Sequence, residues 1–234
     1  MDIAGSVALV TGANRGLGAS FCRALLERGA AKVYAAARDV DSISAPGVTA
    51  VKLDITSAAD VAAAAELCGD TTLLINNAGI SKGVSVLAPD PMEIGRSEFE
   101  TNVFGTLATS RAFAPVLGAN GGGAIINVLS VLSWFASPGS AMYCASKAAT
   151  WSLTNSLRLE LRPQGTQVVA LFVGYMDTDM TAGIKAPKSS PDDVAEQALA
   201  GLAAGQFEVL ADDISRRVRS ALSADLPALY PALA

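Results

Sequence analysis

The sequence predicts an α/β fold: one doubly wound parallel sheet of about seven strands, flanked by helices on both faces. Three observations carry that prediction. Short apolar runs alternate with helix-like, often Ala-rich stretches along all 234 residues. A glycine-rich turn joins the first apolar run to the first helical stretch. Arg38, Asp54, Asn76 and Ser130 each stand where a strand ends, the edge at which parallel sheets bind ligands.

Val7-Ala8-Leu9-Val10 reads as the first buried strand, and Thr11-Gly12-Ala13-Asn14-Arg15-Gly16-Leu17-Gly18 follows at once. Phe21, Ala24 and Leu25 then recur at helical spacing over Ala19 to Arg28, with Gly29 as the stop. Glycines in that position let a pyrophosphate meet bare backbone at a helix N-terminus, whose free N–H groups favour anions. The same turn also serves many folds as plain structure. Lys32 to Ala37 is the second strand, and Arg38 closes it. In dinucleotide-binding sheets the ribose usually lies at this point, where an acid accepts from the 2′-OH of NAD and an Arg accommodates the 2′-phosphate of NADP. Ala37 replaces the acid, Arg38 follows it, and Arg15 adds a second cation, which favours NADP(H). Arg38 is equally readable as a solvated strand-end charge beside Asp39.

Val48 to Leu53 is the third strand, ending at Asp54 and Ile55, and Ser57 to Leu67 is a helix. Leu73-Leu74-Ile75 is the fourth strand, closed by Asn76-Asn77-Ala78-Gly79. Pro91 to Gly118 is mostly helical, with Asn102 a polar residue among apolar neighbours, so its amide needs partners. Ala124 to Leu129 is a strand ending at Ser130, and Ser140 to Leu161 is a helix. Gln167 to Val173 is the next strand, followed by Gly174-Tyr175-Met176-Asp177-Thr178. Pro191 to Ala203 is a helix, Phe207 to Leu210 the last strand, Ile214 to Leu222 a helix, and Asp225 to Ala234 an apolar arm. No repeat or Pro/Ser-rich linker divides the chain, so residues 1–234 read as one domain.

Tyr143 and Lys147 lie four apart, on one face of their helix. An ammonium beside a phenol favours the phenolate and lowers its pKa, which makes Tyr143 an acid/base near neutral pH. Ser130 directs a hydroxyl toward the same space. Such a pair also arises by chance on many helices. The chain has no histidine, which removes the Ser-His-Asp triad, the Cys-His pair and His-ligated metals. Cys22, Cys68 and Cys144 are scattered and odd in number, suiting free thiols in a reducing cytoplasm and no metal cage. A net charge of −5 without a basic cluster argues against nucleic acid. No apolar run reaches the roughly 18 residues of a membrane span, and the N-terminus does not read as a secretory signal.

Taken together, these motifs resemble the short-chain dehydrogenase/reductase family along nearly the whole chain. Thr11 to Gly18 is similar to its TGxxxGxG loop, Asn76 to Gly79 to its NNAG motif, and Asn102, Ser130, Tyr143 and Lys147 to its catalytic set in order. The resemblance implies a Rossmann-type fold and NADP(H)-dependent carbonyl reduction, as in the carbonyl reductases, with Arg15 and Arg38 at the two basic positions. It implies cofactor contacts from Gly12, Asn14, Arg15, Gly16, Leu17, Gly18, Arg38, Asp54, Ile55, Asn77, Ala78, Gly79, Gly174, Met176 and Thr178, with Tyr143 and Lys147. Asp54 would meet the adenine, Thr178 the nicotinamide carboxamide and Lys147 the ribose, while Asn102 would hold a proton-relaying water. Ser130, Tyr143, Trp134 and Tyr175 are expected to contact an apolar or aromatic carbonyl or alcohol, although loop aromatics also pack as core. Val173 departs from the family's Pro-Gly pair, and a looser turn is expected there. The resemblance further implies a homodimer or homotetramer. A dehydratase or epimerase of the same superfamily, and a cofactor-binding regulator without turnover, are the alternatives; the second kind generally lacks the Tyr or Lys kept here.

Overall fold

A computed structural model describes residues 1–233. Its seven strands are β1 (Val7–Thr11), β2 (Lys32–Ala37), β3 (Thr49–Lys52), β4 (Leu73–Asn76), β5 (Ala124–Val128), β6 (Gln167–Phe172) and β7 (Glu208–Leu210). They form one parallel sheet in the order β3-β2-β1-β4-β5-β6-β7. The winding reverses between β1 and β4, and that reversal opens a crevice above the strand ends. The helices are α1 (Gly16–Glu27), α2 (Ala58–Leu67), α3 (Pro91–Phe99), α4 (Thr106–Ala119), α5 (Ala141–Glu160), α6 (Pro191–Ala203), α7 (Asp213–Ala221) and the short α8 (Leu226–Leu229). Observed bounds fall within a few residues of those read from the sequence.

Alternation along the strands divides the core. Ala8 and Val10 of β1 pack with Phe21 and Leu25 of α1 and Leu199 of α6 on one face. Leu9 faces Val61 of α2, Phe113 of α4 and Leu157 of α5 on the other. Helix starts follow capping chemistry: Ser57 accepts from the Asp60 N–H at 3.2 Å, and Ser190 precedes Pro191 in the first position of α6.

The stretch between α3 and α4 departs from the expected simple helix. Glu100–Gly105 is π-helical, with Asn102 inside it. Such wide turns release backbone groups from the regular ladder, and the Asn102 carbonyl accepts instead from the Thr150 hydroxyl of α5 at 3.0 Å. Deeper in, the Asn76 amide donates to Ser110 Oγ (2.9 Å) and Asn127 Oδ1 (2.8 Å), and Asn127 donates to Thr154 Oγ1 (3.0 Å). This buried polar chain pins α4 and α5 to β4 and β5 in one register.

Candidate active site

The glycine turn is built by its neighbours. Thr11 Oγ1 accepts from the N–H groups of Asn77 and Ala78, each at 3.0 Å, and Asn77 Nδ2 donates to the carbonyls of Thr11 (2.8 Å) and Gly12 (3.1 Å). The β1 and β4 loops are thereby sewn together. Gly12 and Gly16 have φ of +63° and +51°, where other residues are strained. A Cβ on Gly18 would lie 2.2 Å from the Gly12 carbonyl oxygen, so only glycine permits this bend. Asn14 is half-buried in the turn, Arg15 is exposed, and Leu17 is buried as α1 begins.

Arg38 is exposed beyond β2. Asp54, beyond β3, accepts from the Thr56 N–H (2.9 Å) and hydroxyl (2.7 Å). Those bonds first, and the Arg38 and Lys52 charges after them, hold its carboxyl below the usual range. Ile55 is buried against the π segment, where a Cβ on Gly105 would strike it at 2.7 Å. The predicted cofactor residues thus line one edge of the sheet.

Ser130 follows β5, and its Oγ accepts from the Leu132 N–H at 3.1 Å, capping a tight turn over Val131–Ser133. That leaves its O–H as a donor. Tyr143 sits on the first turn of α5, and Lys147 one turn on, with Nζ 5.8 Å from the phenol ring centroid. Lys147 is buried and donates to the Val128 carbonyl at 2.9 Å, so two of its N–H bonds remain for other acceptors. Burial pulls its pKa down to about 8.

Two expectations need correction, at Tyr143 and Trp134. The phenol of Tyr143 is raised, not lowered: burial pushes it up to about 12, the Ser130 hydroxyl pulls the other way, and Cys144 and Glu98 add to the rise. Desolvation outweighs a lysine that points at a carbonyl. The Asn102 side chain is engaged on protein: Oδ1 accepts from Ile80 N (2.9 Å), and Nδ2 donates to Ile80 O (2.9 Å) and Ser146 Oγ (3.0 Å), which leaves one Oδ1 lone pair. It braces the loop after Gly79. Trp134 is partly buried and packs against the core: it stacks on Phe172 at 3.9 Å, meets Trp151 edge-on at 6.1 Å, and carries the Arg219 cation over its ring.

The turn at Val173 is tight as well. Val131 N donates to the Val173 carbonyl at 3.0 Å, and Gly174 N donates to Asp212 Oδ2 at 2.6 Å. Asp212 also caps α7 through the Ser215 N–H, so one carboxylate fixes both segments. Tyr175 is 42 % exposed on the following loop, with Met176 and Thr178 beyond it. Thr178 touches the glycine turn, where a Cβ on Gly16 would lie 3.2 Å from its methyl. Sequence reading passed over Asp212 and Glu98, a fully buried carboxylate that accepts from Lys82 N at 2.7 Å. Their partners are remote in sequence, so no local pattern marks them.

With this geometry in place, comparison with known proteins is direct. A family model described as short chain dehydrogenase matches residues 6–189. The chain belongs to the short-chain dehydrogenase/reductase family, an oxidoreductase family, and its sheet is of the Rossmann type. A short chain dehydrogenase from Burkholderia cenocepacia, solved in complex with NADP, is 45 % identical with a TM-score of 0.94, covering 100 % of this chain and 99 % of that one. A 1-deoxy-11-beta-hydroxypentalenate dehydrogenase from Streptomyces exfoliatus is 33 % identical, over 96 % of this chain and 82 % of its own. A 2,5-dichloro-2,5-cyclohexadiene-1,4-diol dehydrogenase from Sphingobium indicum is 32 % identical, over 88 % and 84 %.

Proposed function

We infer that this chain, a single domain, reduces a ketone or aldehyde to an alcohol with NADPH, and runs the reverse reaction with NADP+. The observation that carries this reading is the set of donors around one point. The O–H of Ser130, the phenol of Tyr143 beside it and the buried Lys147 belong to the end of β5 and the first turns of α5. The dinucleotide fits what is present: a bare backbone cradle at Gly12–Gly18, the two cations Arg15 and Arg38, and unused N–H bonds on Lys147. The Burkholderia relative with NADP supports the phosphate-bearing form.

When bound, NADPH supplies the hydride. The protein does the rest. Ser130 and Tyr143 hydroxyls hold the carbonyl oxygen, and their dipoles, fixed beforehand, stabilise the charge that grows there. Tyr143 donates the proton; such general acid catalysis contributes roughly 10²–10⁴-fold. Lys147 opposes the phenolate charge that this leaves behind. Asn102, through Ile80, keeps the loop after Gly79 in place. The Tyr175 ring and Met180, 42 % and 53 % exposed on the loop after β6, support an apolar substrate. Loss of NADPH absorbance across a panel of apolar, aromatic and acidic carbonyl compounds tests the reading. Turnover of an apolar or aromatic ketone or aldehyde is expected; no turnover of any carbonyl, with NADPH still bound, refutes it. A cytoplasmic homodimer or homotetramer completes the proposal, supported by three free buried thiols and by apolar side chains on the outer surfaces of α5 and the π segment.

A further inference from the structure

The loop after β6 is folded upon itself. At its base Asp177 N donates to Ser189 O (3.0 Å) and Ser189 N to Tyr175 O (2.8 Å), and Lys188 pairs with Asp177 at 3.5 Å. Near its start, Thr181 N donates to Thr178 O at 3.0 Å and the Thr181 hydroxyl bonds the Met176 carbonyl. One ion pair ties this loop to the glycine turn. Arg15 Nη1 meets Asp179 Oδ2 at 2.6 Å, with side chains 69 % and 75 % exposed. Arg38, the other cation expected at the 2′-phosphate, makes no ion pair among the described residues. Of the two cations, one is uncommitted and one is already held by a carboxylate.

We propose that Asp179 is a specificity-determining residue, which competes with the cofactor's 2′-phosphate for the Arg15 guanidinium. This deepens the NADP(H) reading above and rests on it. A carboxylate at 2.6 Å occupies one donor of the guanidinium and places a negative charge beside the route of a second anion. The 2′-phosphate must share Arg15 or displace Asp179 from it. NADPH therefore loosens the tie between loop and glycine turn, whereas NADH, lacking that phosphate, leaves the tie intact. Asp179 thus lowers the preference for NADPH below what Arg15 and Arg38 would give alone.

The test is titration of cofactor fluorescence with NADPH and NADH at low and high salt. The proteins are the wild type, Asp179→Asn, Arg15→Met and the double variant. Asp179→Asn is expected to tighten NADPH about two- to fivefold, the span of an exposed ion pair's coupling, and to leave NADH as it was. The gain should shrink at high salt and vanish in the Arg15→Met background. Weaker NADPH binding in Asp179→Asn overturns the proposal, since Asp179 would then orient Arg15 for the phosphate. An equal shift for both cofactors, no shift, or a shift that survives Arg15→Met overturns it too. The underlying reading fails separately: the wild type would then show no preference for NADPH, and Arg38→Asp would move nothing.

Discussion

Tyr143 is held as an acid by its surroundings. With its phenol pushed up to about 12, it carries its proton throughout the neutral range and is ready to donate it. Lys147, pulled down to about 8, loses its charge just above neutrality. The proposed carbonyl reduction needs both protons, so its kcat/KM should fall as pH rises through about 8, as an initial-rate profile would show. Tyr143→Phe removes the acid and spares the cradle; turnover should be lost while NADPH titration stays near wild type. Lys147 also has a stability consequence. Its folded pKa, about 8, lies below the ordinary 10.5, so between those values the unfolded chain holds more protons and stability rises with pH. Below pH 8 the buried ammonium is carried at full cost, on the order of 3 kcal/mol by that shift. Lys147→Met should therefore raise the melting temperature at neutral pH while abolishing turnover, which calorimetry beside an activity assay would check. The Tyr-Lys pair itself was legible as a four-residue spacing. The direction of the phenol's shift was not, because it depends on how much water the fold removes around it.

Two elements carry the rest of the site. In the glycine turn, Gly18→Ala places a methyl 2.2 Å from the Gly12 carbonyl oxygen and 2.7 Å from Asn77 Nδ2. Backbone on both sides is pinned through Thr11 and Asn77, so the clash cannot relax locally. NADPH affinity should drop by about tenfold or more, since a misplaced cradle loses several hydrogen bonds at about 1 kcal/mol each. In the π segment, Asn102→Ala would orphan the Ile80 N–H and carbonyl. Unsatisfied groups of this kind cost about 1–3 kcal/mol each, so thermal unfolding should move down by several degrees, with activity falling as well. Strand and helix positions were legible because apolar periodicity reports burial directly. The π segment was not, since its residues keep the apolar pattern of an ordinary helix. Nor was the fate of Trp134: an aromatic on a loop faces cleft or core according to what packs beneath it, and here Phe172 and Trp151 do.

At the scale of the molecule, the parallel sheet and its ligand edge follow from alternating elements and a right-handed crossover rule, so they were legible in the sequence, whereas the strand order was not. Surface is different, because a sequence does not say which apolar residues stay uncovered. Phe104 in the π segment and Leu159 of α5 are 53 % and 73 % exposed. The chain exposes 10848 Å². Folded monomers of 23.8 kDa expose roughly 9,900 Å² by the usual scaling with mass. The excess, roughly a tenth, is comparable to one side of a standard interface of about 800 Å². Under the oligomer proposed above, that excess is the surface a partner copy would cover. Light scattering behind size exclusion should therefore give a mass of two or four chains. Phe104→Glu puts a charge on this surface where a partner would have to desolvate it, a strongly unfavourable step. It should shift the mass toward one chain, and because Phe104 is half exposed already, the fold should survive, as far-ultraviolet circular dichroism would show. A wild type that elutes as a monomer at every concentration would assign the extra surface to the protomer itself, with the C-terminal arm its first place to look.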